Sequence, residues 1–190
     1  MPDSTDRRSA ILDAAVEVFG RQGFHRGSLR EVARVVGLTT QGVLHYFPTK
    51  EQLLLAVLQH RTSGRAADRL DTGIEHGAVA VLRSALADNL AQPGHMALFV
   101  VLAAEATDPD HPAHGYFARR YRETHDGLTE LVAADIARGR VSGAPDPAAV
   151  ADSLIALADG LQLQKLLRPE FDLLNAYDQA TAAWLAPATT

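Results

Sequence analysis

Residues 28–54 read SLREVARVVGLTTQGVLHYFPTKEQLL, and this stretch punctuates itself three times. Ser28-Leu-Arg-Glu31 has the form of a capping box, in which the serine hydroxyl and the glutamate carboxylate each satisfy an orphan N–H at a helix start. Leu29, Val32, Ala33 and Val36 give the following helix one apolar face, and Gly37 ends it. Thr39 is placed to cap a second helix running to about Phe47, which Pro48 stops by disfavouring helical geometry in the residue before it. Thr49-Lys-Glu-Gln52 repeats the capping pattern and opens another helix, with Leu53, Leu54, Val57 and Leu58 apolar. A helix of about two turns depends on packing for its stability. The one between Thr39 and Phe47 therefore reads as a segment held in place for presentation.

Two helices joined by a tight turn at Gly37 have the sequence form of a helix-turn-helix. An earlier helix from Arg7 to Gln22 supports them: Ile11, Ala14, Ala15, Val18 and Phe19 recur at helical spacing, and Gly23 is its expected stop. His25 reads as a loop residue without a role. In a helix-turn-helix the second helix enters the major groove with its N-terminal residues at base edges, while the first crosses the backbone. The residues so placed are Thr40, Gln41 and Gly42, with His45 and Tyr46 one turn on. Glutamine can pair bidentately with adenine, and threonine can meet a base edge or a thymine methyl. Gly42 costs the helix about 1 kcal/mol relative to alanine, which a close approach of backbone to DNA explains. Tyr46, Thr49 and Lys50, with Arg30 at the start of the preceding helix, are expected to contact phosphates, because free N–H groups and the helix dipole favour an anion there. Val43 and Phe47 are expected to be core.

Charge follows the same division. The first 50 residues carry seven basic and five acidic side chains, a net +2, which leaves −7 on the other 140 out of a total of −5. A basic segment ahead of an acidic body is the footprint of a chain whose first part alone touches a polyanion. Absence of cysteine excludes disulfides, thiolate metal clusters and a cysteine nucleophile. The longest apolar run, Met96–Ala104, is too short to span a bilayer, and MPDSTDRR lacks the apolar core of a signal sequence. The expectation is a cytoplasmic protein with no membrane contact.

Beyond residue 58 the vocabulary stays helical, with no alternating β-branched run, so the chain reads as all-α with about nine helices. Pro and Gly punctuation at 92–94, 108–112 and 139–147 delimits five more, near Gly77–Ala91, His95–Ala106, Ala113–Arg138, Pro147–Leu167 and Leu173–Leu185. Asp146-Pro147 is a favoured helix start. The 147–167 helix is apolar nearly all round: Val150, Leu154, Leu157 and Leu161 form one stripe, Ala151, Ile155 and Ala158 another, so it is buried on more than one side. With Leu174, Tyr177, Thr181, Trp184 and Leu185 on the last helix, these stripes either pair across a two-fold axis as a four-helix dimer interface or complete a monomer's core. Asp159, Gln162 and Gln164 interrupt the apolar run and need partners, within the fold, across a dimer or in an effector. Met96, Phe99, Glu105, Tyr116, Phe117, Arg120 and Tyr121 could line a cavity between helices, although Met and aromatic stripes more often form core. The Asp108–His114 loop has metal-like ligand types at His111 and His114, but a proline-rich loop reads as an exposed turn, and neither a metal nor a cofactor is expected.

The pattern GSLREVARVVGLTTQGVLHYFPTKEQLL resembles the tetracycline-repressor-like (TetR family) transcriptional regulators over about Arg7–Leu58, with the Gly-Leu-Thr turn, the Tyr46-Phe47 pair and the Thr49-Lys50-Glu51 start in their usual places. LADGLQLQKLLRPEFDLLNAY near the C-terminus resembles the dimerising end of many such regulators. The resemblance implies a DNA-binding domain over 1–50 and an effector-binding and dimerisation domain over 51–190. It implies a repressor that holds a palindromic double-stranded operator as a homodimer and is released by a small molecule. DNA contacts would fall on Ser28, Arg30, Thr40, Gln41, Gly42, His45, Tyr46 and Lys50. Leu44 stands where many relatives have a phosphate-reaching tyrosine and Gly42 where threonine is common, which implies fewer side-chain contacts and closer backbone approach. The alternatives are a helical protein-interaction dimer and a small helical enzyme. No H-E-x-x-H, G-x-S-x-G or phosphate-cradling glycine loop supports the latter.

Overall fold

The computed structural model describes residues 4–62, 75–141 and 146–185, apart from the side chains at 4, 5, 61, 62 and 183–185. Among the described residues it is all-α, with nine helices: α1 (Ser4–Arg26), α2 (Leu29–Val36), α3 (Thr40–Tyr46), α4 (Lys50–Thr62), α5 (Ala78–Leu90), α6 (Pro93–Glu105), α7 (His114–Ala137), α8 (Pro147–Leu167) and α9 (Leu173–Leu185). The punctuation expected over 139–147 is present in part, since residues 142–145 lie outside the described set. No helix among the described residues is long and apolar enough to cross a membrane.

Two compact units divide the chain, one joining 1–64 with 92–117, the other 65–91 with 118–190. In the first, α1 packs on α2, α4 and α6, and α2 on α3. The periodic residues explain why: Ile11, Ala15, Val18 and Phe19 of α1, Val32 of α2, Val43 of α3 and Leu53, Leu54 and Val57 of α4 are all buried. Gly23 interrupts α1 where the sequence places its stop, with a non-helical φ/ψ of 73°/175°. The helix resumes to Arg26. Burial of Leu12, Phe19, Leu54 and Leu102 stabilises this unit by about 1.5–3 kcal/mol per side chain.

The second unit is built around α8. Val150, Ala151, Leu154, Ala158 and Leu161 join Leu86 of α5, Leu128 and Val132 of α7, and Leu173 and Tyr177 of α9 in one buried cluster. Asp146 caps α8 by accepting the Ala148 N–H at 3.1 Å, with Pro147 in the first turn as its sequence requires. A carboxylate from another helix caps α5: buried Asp135 of α7 accepts the Ala78 N–H at 2.8 Å and pairs with Arg140 at 3.2 Å. On the surface Arg83 of α5 grips Asp178 of α9 with two bonds, 2.7 and 2.9 Å long, and this hydrogen bonding lowers the aspartate pKa from its ordinary value.

Candidate nucleic-acid interface

The capping residues fix the first unit's exposed edge. Ser28 Oγ accepts the Glu31 N–H at 3.2 Å, Thr39 Oγ1 the Gly42 N–H at 3.0 Å and Thr49 Oγ1 the Gln52 N–H at 3.1 Å. The reciprocal half of the Ser28 box differs from expectation, because the Glu31 carboxylate is turned to Arg34, 3.8 Å away on the next helical turn. Between α2 and α3, Gly37 adopts φ 71°, ψ 35°, and the Leu38 N–H returns to the Ala33 carbonyl at 2.8 Å. This is a Schellman turn, and its left-handed residue strains any side chain but glycine's.

That turn presents α3. Val43 is fully buried and Phe47 nearly so, pinning seven residues of helix by one face. Thr40, Gln41 and His45 are exposed on the other, with Gly42, Leu44 and Tyr46 half-buried between. An open cleft of about 570 Å³ lies beside the start of the helix, lined by Ser28, Arg30, Glu31, Ala33, Arg34, Leu38, Thr39 and Thr40. The structure thus brings Ser28, Arg30 and Thr40 to one concavity, whereas Gln41, His45 and Tyr46 stand outside it on α3.

Two basic residues of this edge were not singled out from sequence. Arg34 lines the cleft, and Arg8 of α1 lies with its guanidinium 4.9 Å from the Phe47 ring centroid, at the far end of α3. Spacing along α2 could have found Arg34, which follows Arg30 by one turn. Nothing local signals Arg8. Lys50 differs from expectation in its surroundings: its Nζ donates to the His25 carbonyl at 3.2 Å and sits 4.3 Å from the Phe24 ring centroid. Burial lowers its pKa, against the opposing pull of Glu51 and Glu105. The ammonium has two further N–H donors for a phosphate, and His25, read as a residue without a role, supplies the carbonyl that holds it.

The residues expected to line an effector cavity divide between the units. Met96, Phe99, Glu105, Tyr116 and Phe117 belong to the first. There Met96 is buried, Phe99 and Phe117 meet edge to face at 5.1 Å, Tyr116 donates to the Leu58 carbonyl, and Glu105 accepts the Phe24 N–H at 2.7 Å. Arg120, Tyr121, Asp159 and Gln162 belong to the second. Tyr121 donates to Asp159 at 2.6 Å, and burial raises the pKa of both. Gln162 accepts from Asn89 at 2.6 Å and donates to the Ala158 carbonyl, so it finds its partners within the fold. Among the described residues no group of three or more His, Asp or Glu could hold a metal ion. His111 is not in an exposed turn: it is 3% exposed.

The dimer stripe read from sequence needs correction. Val150, Leu154, Leu161, Tyr177 and Thr181 are buried within the chain, Tyr177 donating to the Val79 carbonyl and Thr181 to that of Tyr177. Leu157 is half-buried against the same cluster, and the Trp184 side chain lies outside the described residues. Periodicity identified a covered face, and the chain itself covers it. A different stripe of α8 is exposed: Ala149, Ser153, Ala156, Gly160, Leu163 and Leu167, spaced so that all six share one face. Leu163 is 48% and Leu167 73% exposed.

The profile of bacterial regulatory proteins of the tetR family matches residues 11–57, and that of the BetI-type transcriptional repressor C-terminal region matches 75–186, more than half of the chain. The chain belongs to the TetR family. This TetR-family chain is 28% identical over 170 residues to the HTH-type transcriptional regulator BetI of Rhizobium meliloti, spanning 85% of this chain and 79% of that protein. It is 25% identical over 182 residues to the HTH-type transcriptional regulator TtgR of Pseudomonas putida, spanning 91% and 87%. The fold is that of FadR from Bacillus subtilis, solved in complex with stearoyl-CoA, with a TM-score of 0.76 at 15% identity over 94% of this chain and 97% of that one. TetR-family proteins are transcriptional regulators that bind DNA and small molecules, and they are not enzymes.

Proposed function

We propose that this TetR-family regulator is a ligand-responsive repressor that grips a palindromic operator as a homodimer and lets go when a small molecule enters its body. The observation that carries the reading is α3: a seven-residue helix anchored by Val43 and Phe47, capped by Thr39, with Thr40, Gln41 and His45 exposed. Residues 1–50 act as the DNA-binding part and 51–190 as the effector-binding and dimerisation part. Gln41 and Thr40 read base edges, and Gly42 lets the backbone come close. Ser28, Arg30, Tyr46, Thr49 and Lys50 hold phosphates.

The second copy docks on the exposed Ala149–Leu167 stripe of α8. Small residues at 149, 153, 156 and 160 permit close helix approach, and two leucines that water would otherwise cover supply apolar area. A dimer reads two half-sites about 34 Å apart, or a multiple of it, so an effector that prefers a body conformation with another spacing shifts the population away from DNA. The Tyr121–Asp159 pair is the body's polar anchor for such a ligand. The stearoyl-CoA held by the Bacillus subtilis neighbour is consistent with a body that takes small molecules.

Selection from a pool of random duplexes tests the reading. The wild type should enrich a two-fold symmetric site, and Gln41→Ala should relax preference at one base pair of each half-site by about 1–3 kcal/mol. Recovery of an unenriched pool, or the same site with the same stringency for both proteins, contradicts it.

A further inference from the structure

The bend of α1 and the first residue of α4 meet one corner of α6. Glu105 closes α6 there, and its carboxylate occupies the space that a Cβ on Gly23 would fill. It accepts the Phe24 N–H at 2.7 Å. On the same carboxylate, Oε2 lies 3.7 Å from Nε2 of His111, whose side chain is wholly buried. The His111 Nδ1 accepts the Ala113 N–H at 3.1 Å, so the neutral ring carries its proton on Nε2, aimed at Glu105 and without a hydrogen-bond partner. The ring packs edge to face on Phe24 at 5.2 Å and on His25 at 5.4 Å. Lys50 lies over Phe24 and donates to the His25 carbonyl.

We propose that His111 is a proton-operated latch on this corner: when the imidazole takes up a second proton, Glu105 is drawn off the Phe24 N–H and the seat of Lys50 at the start of α4 loosens. The chemistry follows from the two ring nitrogens. A proton added at Nδ1 turns that atom from acceptor to donor, so it can no longer receive the Ala113 N–H, and a buried donor faces a donor. At the same moment the ring becomes a cation beside Glu105, and a buried charge seeks its counterion. Both contacts fall on Oε2, so movement of that oxygen to close the 3.7 Å gap stretches its 2.7 Å bond to Phe24.

The charged and titratable groups around the ring set the balance. Glu105 from α6 and Asp108 from the following loop favour the cation, His25 from α1 opposes it, and Lys50 from α4 stands across the Phe24 ring. His114 is turned away, with its Nδ1 on the Ala106 carbonyl. Burial outweighs these and keeps the ring neutral at ordinary pH, its pKa held below the usual histidine value. The latch therefore opens only in acid.

Its consequence for DNA rests on the reading of α3 given above, because Phe47, Pro48 and Thr49 are all that separate α3 from Lys50. The latch itself can be tested without DNA, by NMR of the full chain from pH 8 to pH 5. The Phe24 amide resonance should move with the midpoint of the His111 imidazole, and it should stop moving in His111→Gln. In His25→Gln it should still move with His111. Glu105→Gln should lower the His111 midpoint, which keeps the proposal testable if His111→Gln does not fold. A Phe24 amide that is flat through the His111 titration, one that moves equally in His111→Gln, or a His111 midpoint indifferent to Glu105→Gln would each overturn the latch. In a parallel arm, affinity for random-sequence duplex at constant ionic strength should depend on pH differently in wild type and His111→Gln, and identical pH profiles refute the coupling to α4. Absence of DNA binding by both proteins at every pH instead refutes the DNA-binding reading and leaves the NMR result standing.

Discussion

Thr39 Oγ1 accepts the Gly42 amide at 3.0 Å, so a side chain three residues back fixes the start of α3. Thr39→Ala should cost about 1 kcal/mol of stability, which for a chain of this length lowers Tm by about 2–4 °C. Thr39→Ser should restore most of it. Urea denaturation of the three proteins checks this, and an alanine variant as stable as wild type removes the cap from the account.

The caps were legible because they are local: each hydroxyl meets an N–H three residues on, inside a motif that sequence spacing displays. Gly37 and Pro48 were legible for the same reason. The apolar periodicity of α8 showed that Val150, Leu154 and Leu161 are covered but not what covers them, and the chain's own α5, α7 and α9 do so. The exposed stripe of α8 is also at helical spacing, but small and polar residues with only two leucines give it little hydropathic contrast. Glu105 and Phe24 stand 81 positions apart and His111 sits in a loop rich in proline, so no pattern in the sequence joins them.

Asp159 carries a stability cost at neutral pH. Burial raises its pKa, against the opposing pull of the Tyr121 hydroxyl and Arg120. The folded chain therefore holds the proton more tightly than the unfolded one, and stability is lost as pH rises from the unfolded carboxyl value, near 4, through the folded one. Asp159→Asn keeps an acceptor for Tyr121 and removes the charge, so at pH 7 it should melt higher than wild type. Calorimetry at pH 7 decides, and a lower Tm contradicts the account.

His111 has the opposite sign. Its folded pKa lies below the unfolded value, so its contribution to stability is present above about pH 6.5 and fades as pH falls further. The wild type should lose more urea stability between pH 7.5 and 5.5 than His111→Gln does. Parallel losses in the two proteins would show that other groups govern the acid limb.

The exposed stripe of α8 predicts a clean separation of fold from assembly. Leu163→Glu with Leu167→Glu places charge on side chains that are already in water in one chain, and surface changes of this kind cost about 0.5 kcal/mol or less each. Sedimentation should give a dimer for the wild type and a monomer for the double variant, with unchanged circular dichroism. A double variant that remains dimeric places the interface elsewhere.

The central claim, that α3 and the cleft beside it grip DNA, is tested most directly by fluorescence anisotropy on the selected duplex across a salt series. Affinity for the wild type should fall linearly in logarithmic coordinates as salt rises, and Arg30→Ala should reduce the slope by about one unit while leaving base preference unchanged. No binding to duplex DNA at low salt, or the same slope for both proteins, would contradict it.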